Sequence, residues 1–387
     1  MSFLSFDTAK VRSVLNLSSI ISSPRATVEL FTYTKLKLNT DKSVEFQSMN
    51  DFVSFSSTVH TNNLEDLPQG VQFLIKTDLF HNAINLTSDP LVGMDLDLDK
   101  HAITIQGAKA KHNLRINTDL AENFTIPTPQ GDAETSFSIT VTDLQAVIRQ
   151  GAVSLGNPRT VYQSEFLNYC FTVKKDGTIL MVTTDRYRVT KMSVKAHKIS
   201  TSIEQDSKNY LIPPKLLGII EKLDTTEELS VEFFSDTILV RTSTSVIIGR
   251  YGEGTFPDYD KILPASFAIN FSLASNDLQD AIKQVQYFAR MNNESKAVKL
   301  TVKPNDKKII LSSQTSDGYA SEATLDIIKY EGPSDDWEQS FNVDYLAGFV
   351  STLKETHILW EANPGKPSVL SPLNEKDTLL YLVSGLK

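Results

Sequence analysis

A pattern that occurs three times along the chain limits its fold more than any other sequence feature. In each copy, a short run of alternating apolar residues leads into apolar residues at helical spacing. The copies align at Asp7, Asp143 and Asp277, so the period is close to one third of the 387 residues. An aspartate at a helix start accepts hydrogen bonds from free N–H groups and favours the helix dipole. A repeat of this length predicts three similar domains.

A second helix pattern recurs in the middle of each copy, with Leu79, Leu216 and Leu346 at equivalent apolar positions. Between the helices, alternating runs rich in β-branched residues, such as 298–302 and 309–311, predict strands joined by hairpins. We therefore predict an α+β fold of three repeated domains, each with two helices packed on antiparallel sheet. The predicted domains are residues 1–130, 131–262 and 263–387.

The second copy ends in the stretch from Phe256 to Pro264, which prolines bracket at positions 257 and 264. Proline fixes its own φ and moves the preceding residue out of the helical region, so Phe256 and Leu263 should be extended. A shorter relative of the stretch, at 124–127, ends the first copy. Two interpretations stay open, a plain surface loop or a joint repeated between domains.

The composition, with 40% hydrophobic and 22% charged residues, is ordinary for a globular protein. Cys170 is the single cysteine, so no internal disulfide is possible, which fits a reducing cytoplasm. The N-terminus lacks a signal-peptide pattern and no apolar run reaches membrane-spanning length, so we expect a cytoplasmic protein. The net charge of −9 does not decide against nucleic acid, because polyanion binding needs only a local basic surface.

Motifs for catalysis and cofactor binding are absent from the sequence. The chain has no glycine-rich phosphate loop, dinucleotide fingerprint, nucleophile elbow or His-Glu-x-x-His. Its six histidines lack metal-ligand spacing. Asp95, Asp97 and Asp99 alternate along one predicted strand, which favours a solvated face over a metal site because no other oxygen ligands cluster nearby. We expect no catalytic residue, no cofactor and no bound metal.

Four segments resemble the bacterial DNA polymerase III β subunit family, the sliding clamps. TTDRYRV at 183–189 resembles the family segment A-T-D-G-H-R-L, and GTFPDY at 254–259, followed by ILP, resembles G-x-F-P-D-Y-x-x-[VI]-[LI]-P. LIP at 211–213 and FNVDYL at 341–346 resemble the family's helix openings in the second and third domains. The segments occur in the family's order, and the length fits from end to end.

The resemblance implies a head-to-tail homodimer of three-domain chains that closes into a ring around double-stranded DNA. A contact that closes on itself leaves no open end. The resemblance also implies a family that is not enzymatic. A clamp loader opens the ring, and the ring then tethers DNA polymerase and other proteins that carry a clamp-binding motif. Non-specific contacts with phosphates, with a Kd of roughly 10⁻⁴–10⁻⁶ M, are weak enough for sliding. Retention on DNA would therefore come from topology.

The family binds short peptides with apolar anchors in a pocket between its second and third domains. The pocket positions that carry over are Leu167, Thr184, Arg186, Tyr187, Arg188, Val189, Pro257, Lys261, Ile262, Tyr345, Leu382, Val383, Ser384, Gly385 and Leu386. An apolar pocket with a polar rim suits such a peptide, and plain domain packing is the alternative.

This sequence departs from the family pattern at two places in the pocket. Arg186 and Tyr187 replace the family's Gly-His pair, and SGLK at 384–387 replaces its C-terminal M-P-x-R. Because glycine has no side chain and accepts positive φ, Arg186 predicts a filled or charged wall and a changed local backbone. We expect the pocket to persist with an altered peptide preference.

Basic residues on helices and loops are the candidates for contact with DNA, with an ordinary solvated face as the alternative. The DNA-facing candidates are Lys10, Arg12, Arg25, Arg149, Arg159, Lys283 and Arg290. For the dimer interface, the resemblance points to the strand pattern at 113–116 and to the end of the third copy's first helix. Leu114, Ile116 and Met291 are the candidates, because exposed apolar edge residues invite strand pairing.

Two rival interpretations remain open. A carboxylate-based hydrolase could use Asp95, Asp97 or Asp185, although the sequence shows no paired acid and base. A clamp-like scaffold that binds proteins without encircling DNA is compatible with the departures at Arg186 and at the C-terminus.

Overall fold

The protein is described by a computed structural model that covers residues 2–64, 70–202, 208–291 and 295–386. The helices are α1 Thr8–Ile21, α2 Thr77–Asn85, α3 Val141–Ala152, α4 Pro214–Glu221, α5 Ser275–Met291 and α6 Val343–Val350. The strands are β1 Ser2–Asp7, β2 Tyr33–Leu38, β3 Ser43–Met49, β4 Val53–His60, β5 Asn63–Leu64, β6 Gln72–Lys76, β7 Leu91–Asp97, β8 Ala102–Gln106, β9 Lys111–Asn117, β10 Thr135–Thr140, β11 Tyr169–Val173, β12 Thr178–Thr184, β13 Arg188–Lys195, β14 His197–Thr201, β15 Asn209–Ile212, β16 Glu228–Phe233, β17 Thr237–Arg241, β18 Ser245–Arg250, β19 Ile269–Ala274, β20 Ala297–Lys303, β21 Lys308–Gln314, β22 Ala320–Asp326, β23 Lys329–Glu331, β24 Trp337–Asn342, β25 His357–Ala362, β26 Ser368–Pro372 and β27 Leu379–Val383. Short 3₁₀ helices cover Glu29–Thr32, Asp119–Ala121, Ser164–Leu167 and Tyr259–Ile262.

These elements confirm the α+β fold predicted from the sequence, and every paired strand is antiparallel to its neighbour. The chain forms two compact units. Unit 1 is Met1–Leu144, Ala196–Glu204 and Lys215–Tyr251, and unit 2 is Gln145–Lys195, Gln205–Pro214 and Gly252–Lys387. The division into three domains drawn from the repeat remains a prediction. No helix in the described ranges is long and apolar enough to span a membrane.

Unit 1 is built on one sheet with the strand order β14-β10-β16-β17-β18-β4-β3-β2-β6-β9-β8-β7-β1-β5. Its core contains a chain of aromatic contacts. Phe6 meets Phe46 edge-on at 6.4 Å, and Phe46 stacks on Phe80 of α2 at 6.2 Å between ring centroids. These fully buried rings attach α2 to the sheet.

The aspartates of the repeat differ in their positions at the three helix starts. Asp7 caps α1 as predicted, because its carboxylate accepts from the amides of Ala9 and Lys10. Asp143 instead lies within the first turn of α3, where it exchanges hydrogen bonds with Thr140. Asp277 likewise lies within the first turn of α5. All three keep a negative charge near the positive end of the helix dipole.

The second helix of the first copy corrects one sequence expectation. Leu216 and Leu346 are fully buried, but Leu79 is 52% exposed. Phe80 is the buried residue of α2 at this point. The prediction that Leu79 belongs to the apolar face was wrong, because the helix turns Phe80 toward the core instead.

Unit 2 contains a sheet with the order β15-β11-β12-β13-β27-β26-β25-β19-β23 and a smaller sheet with the order β22-β21-β20-β24. Phe271 stacks on Trp360 at 5.7 Å, and Phe349 of α6 stacks on Tyr381 of β27 at 4.4 Å. The contact between Phe349 and Tyr381 attaches α6 to the larger sheet.

The larger sheet joins chain segments that are far apart in sequence. Strand β13 pairs with β27, which places Arg188 opposite Val383 and Val189 opposite Leu382. The C-terminal strand therefore lies beside the segment that begins at 188, and this pairing positions the candidate site.

The proline-bracketed stretch also belongs to unit 2. Phe256 is buried in one apolar cluster with Val189 and Leu382. Leu263, before the second proline, is extended as predicted, with φ −76° and ψ 123°. The stretch is thus packed against the two paired strands.

Candidate functional site

The turn between β12 and β13 is closed by its own side chains. Thr184 Oγ1 donates to the carbonyl of Arg188 at 2.8 Å and accepts from the amide of Arg186 at 3.1 Å. Asp185 Oδ1 accepts from the amides of Tyr187 at 3.0 Å and Arg188 at 3.1 Å. Because both side chains satisfy the amides of the turn, residues 184–188 form a fixed loop.

Arg186 occupies the left-handed region of this turn, with φ +80°. A residue with a Cβ atom costs roughly 1–2 kcal/mol there, and glycine avoids the cost. Arg186 thus adopts a backbone conformation that favours glycine, at the position where the family pattern has glycine. The expected change of local backbone relative to the family remains a prediction. The side chains of Arg186 and Tyr187 are exposed, and the guanidinium lies 6.0 Å from the Tyr187 ring.

Arg188 connects the turn to α6. Its Nε lies 2.9 Å from Asp185 Oδ2, and its guanidinium lies 4.2 Å from the ring centroid of Tyr345. Burial of Arg188 disfavours its charge, but interactions with Tyr381 and Asp185 outweigh burial and raise its pKa. Tyr381 in turn donates to the carbonyl of Tyr345 at 2.9 Å, which fixes the helix start against β27.

The apolar part of the site follows from the β13–β27 pairing. Val189, Leu382 and Val383 are all buried. Val189 and Leu382 pack with Phe256, while Val383 belongs to the main core of unit 2. Strand pairing brings these three residues together, and all three are buried. That they form the floor of a peptide pocket remains a prediction.

The C-terminal residues after β27 run along the edge strand β24. The amide of Ser384 donates to the carbonyl of Tyr187 at 2.9 Å, and the amide of Leu386 donates to the carbonyl of Ser340 at 2.7 Å. A groove of about 600 Å³ lies along this tail. It is lined by Lys299, Glu338, Gln339, Ser340, Gly365, Lys366, Pro367, Ser384, Gly385 and Leu386. Lys387 lies outside the described residues.

The other predicted pocket residues surround this floor at the ends of short elements. Leu167, half-buried, ends one 3₁₀ helix, and Ile262, 51% exposed, ends another. Pro257 is exposed, and Lys261 is exposed and paired with Asp258 at 3.0 Å. The common role of these four residues with the floor remains a prediction.

Sequence reasoning missed one link between the two motif segments. Lys191 on β13 pairs with Asp260 at 3.1 Å, and its ammonium lies 5.2 Å from the Tyr259 ring centroid. Both partners belong to the proline-bracketed stretch. A lysine two residues after a motif carried no signal, because only packing of the proline-bracketed stretch against β13 and β27 brings it to Asp260.

The DNA-facing candidates have different surroundings. Lys10, Arg25, Arg149 and Arg159 are exposed. Arg12 instead donates to the carbonyls of Ile84 and Thr87, at 3.5 and 2.7 Å, and so connects α1 to the end of α2.

The two candidates on α5 are both paired with acids. Lys283 lies 3.0 Å from Asp280, and Arg290 lies 2.8 Å from Asp344. Lys296 is a second cation on Asp344, also at 2.8 Å. This shared carboxylate leaves one positive charge in excess at the start of α6.

The dimer-interface candidates lie on two elements. On β9, residues 111–115 pair with β8, whereas Ile116 and Asn117 pair with β6. Ile116 is opposite Ile75 in that short pairing and is 6% exposed, so the expectation that it is an exposed edge residue was wrong. Leu114 is half-buried, and Met291 at the end of α5 is 47% exposed.

The acidic, histidine and cysteine side chains bear on the metal-site and catalytic alternatives. Within the described part of the chain, no group of three or more His, Cys, Asp and Glu side chains could hold a metal ion. Cys170 is buried, and burial raises the pKa of its thiol to about 12. A protonated, buried thiol is a poor nucleophile.

Comparison with protein families gives two matches. Residues 138–258 match the model of the DNA polymerase III beta subunit central domain, and residues 260–383 match that of its C-terminal domain. Together the two matches cover more than half of the chain.

Similar proteins agree with these matches. A beta sliding clamp of Staphylococcus aureus is 24% identical over 260 residues, which are 66% of this chain and 65% of that relative, just under two thirds of its length. The sliding clamp of Pseudomonas aeruginosa superposes with a TM-score of 0.87 at 15% identity, over 100% of this chain and 99% of that one. The Bacillus subtilis DNA polymerase sliding clamp gives 0.85 at 18% identity, with the same coverage. At such identities the superpositions show the fold alone.

Proposed function

We propose that this chain, which belongs to the DNA polymerase III beta subunit family, is a DNA sliding clamp whose unit 2 binds peptides of partner proteins. In this proposal the chain is a processivity factor without an active site. Two copies close head to tail around double-stranded DNA after a clamp loader opens them, and the ring then tethers DNA polymerase and other proteins that carry clamp-binding motifs.

The observation that supports the peptide site most directly is the pairing of β13 with β27. It places buried Val189 and Leu382 beside each other and next to Phe256. The ordered turn at 184–188 and the polar Arg188–Tyr345 contact lie at one end of this pairing. An apolar floor with a few fixed polar groups is the arrangement that binds short peptides through apolar anchors.

The DNA-binding part of the proposal is supported by the exposed cations of unit 1 and unit 2. Lys10, Arg25, Arg149 and Arg159 are free to approach phosphates, because each side chain is exposed and the ion pairs within the described ranges do not include them. Such contacts bind without reading bases and weaken as salt rises.

Light scattering with circular and linear DNA tests the proposal as a whole. The expected species is a dimer of about twice 43.1 kDa. After loading, it should remain on nicked circles in high salt and leave linear DNA of the same length, because only a closed ring is retained topologically. A monomer, or release from both DNAs at the same salt concentration, would instead favour the non-encircling scaffold.

Charge substitutions test the DNA-facing candidates. Arg25→Gln and Arg159→Gln should each lower the slope of log affinity against log salt by about 0.9, the value for one phosphate contact. Lys307→Gln is the matched control, since Lys307 is an exposed residue on the turn between β20 and β21. Equal slopes for all three variants would remove Arg25 and Arg159 from the DNA interface.

Peptide binding tests the unit 2 site separately. A synthetic peptide with leucine and phenylalanine anchors should bind the intact protein, and Arg188→Ala should weaken binding. Absence of binding, together with unchanged polymerase tethering by Arg188→Ala, would exclude the pocket.

A further inference from the structure

The charged side chains assigned to the peptide site differ in whether they have a partner. Arg188 pairs with Asp185 at 2.9 Å, and Lys261 pairs with Asp258 at 3.0 Å. Arg186 makes no ion pair with any residue in the described ranges. Of these three cations, Arg186 is therefore the one whose charge no acid of the described residues offsets.

The neighbouring carboxylate is already engaged by donors other than Arg186. Both oxygens of Asp185 are occupied, since Oδ1 accepts from two turn amides and Oδ2 accepts from Arg188 Nε. Asp185 is also buried, whereas the Arg186 side chain is exposed. The guanidinium consequently keeps its donors for a group from outside the chain.

The backbone at Arg186 presents its side chain from a fixed position. Thr184 and Asp185 hold the turn through four hydrogen bonds, and Arg186 itself is held at φ +80°. A donor on an ordered turn loses less freedom on binding than one on a loose loop. An arginine guanidinium also matches a carboxylate through two parallel hydrogen bonds.

We propose that Arg186 selects partner peptides that carry an aspartate or glutamate next to their apolar anchors. The inference rests on the peptide site proposed above and adds the chemistry of its ligand. Charge complementarity favours this occupant, because the exposed cation lies two residues from Arg188 and three from Val189 of the floor. The carbonyl of Tyr187, the next residue, holds the C-terminal tail through Ser384, so Arg186 is part of the same surface.

Isothermal titration with a peptide series tests this preference. The reference peptide has leucine and phenylalanine anchors and asparagine at every other position, and each further peptide replaces one asparagine with aspartate. For the intact protein, we expect at least one aspartate to strengthen binding about fivefold at low salt, which corresponds to about 1 kcal/mol. The gain should disappear near 1 M salt, where the Debye length is about 3 Å.

Three variants assign the preference to Arg186. Measured against each variant's own affinity for the reference peptide, Arg186→Gln and Arg186→Gly should lose the gain from aspartate, whereas Arg186→Lys should keep part of it. Lys307→Gln removes a charge elsewhere in unit 2 and should keep the full gain. Arg186→Gly also restores the residue type that suits φ +80°, so misfolding cannot explain its loss of preference.

The outcomes separate this inference from the peptide site itself. If the reference peptide binds and no aspartate improves binding, or if Arg186→Gln keeps the gain, the site stands and the role of Arg186 is overturned. If no peptide binds, the site and the role of Arg186 both fall. If Arg186→Gln instead lowers the salt slope of DNA binding and leaves all peptides unaffected, Arg186 is a phosphate contact and the proposal is wrong.

Discussion

The ion pair between Arg188 and Asp185 should stabilise unit 2, and replacement of one partner measures how much. Arg188→Met keeps most of the side-chain stem but removes the charge. The side chains of Arg188 and Asp185 are only 17% and 11% exposed, so the substitution leaves a carboxylate in a poorly hydrated position. Loss of one partner from a fully buried pair costs about 3–5 kcal/mol.

The cost at this site should be smaller than for a fully buried pair. Asp185 keeps two amide donors after the substitution, so its charge remains partly compensated. The lost contact between Arg188 and the Tyr345 ring adds about 0.5–1 kcal/mol. We therefore expect Arg188→Met to lower the free energy of unfolding of unit 2 by about 2–3 kcal/mol at pH 7.

Tryptophan fluorescence during urea unfolding reports this unit directly. Trp337 and Trp360 are the two tryptophans of the chain, and both belong to unit 2. Asp185→Asn and the double variant complete a mutant cycle, for which we expect a coupling energy of about 1–3 kcal/mol. A loss below about 0.5 kcal/mol for Arg188→Met, or additive single substitutions, would refute the reasoning, because residues that do not interact show additive effects.

Two further predictions concern the start of α6 and the C-terminal tail. Burial opposes the charge of Asp344, but hydrogen bonds from Lys296, Arg290 and Gln286 outweigh it and lower its pKa. Asp344→Asn should therefore lower the free energy of unfolding by about 1–2 kcal/mol at pH 7. This difference from the intact protein, measured by tryptophan fluorescence, should vanish as pH falls through the lowered pKa of Asp344. A constant difference down to pH 2 would contradict this. At Gly385, an added Cβ would clash with Nε2 of Gln339, which donates to the carbonyl of Lys366 at 3.0 Å. Gly385→Ala should break that bond between Gln339 and Lys366. It should also speed hydrogen exchange of the Leu386 amide about fivefold, equivalent to about 1 kcal/mol. Unchanged exchange would show that the Gln339 side chain moves away freely. In the control Gly348→Ala the Cβ would lie 3.7 Å from Val153, an ordinary contact.

Local patterns in the sequence predicted the elements of this fold correctly. The alternating runs became β1, β10 and β19, each followed by a helix, because side-chain period and capping depend on residues within a few positions of each other. Asp7 illustrates this, since its capping partners are two and three residues away. The motif segments predicted the family because they, too, are short local stretches of sequence.

Errors arose where the direction of one side chain depended on distant packing. Leu79 and Phe80 are both apolar neighbours on α2, and only contact with Phe46 decides that Phe80 is the buried one. Ile116 similarly looks like an edge residue until the short pairing of β9 with β6 covers it. Neither contact has a signal within the local sequence.

The sequence by itself determined the α+β class, the repeated strand–helix order and the residue types of the candidate site. The tertiary structure decided which of those residues meet. Arg188 lies opposite Val383 because β13 and β27, from distant parts of the chain, pair in one register. Lys191 reaches Asp260 because the proline-bracketed stretch packs against these paired strands. Such a register depends on burial of whole sheet faces and not on neighbours in sequence. The fold also shows that Asp185 is already engaged by other donors, and it thereby reveals the unpaired charge of Arg186.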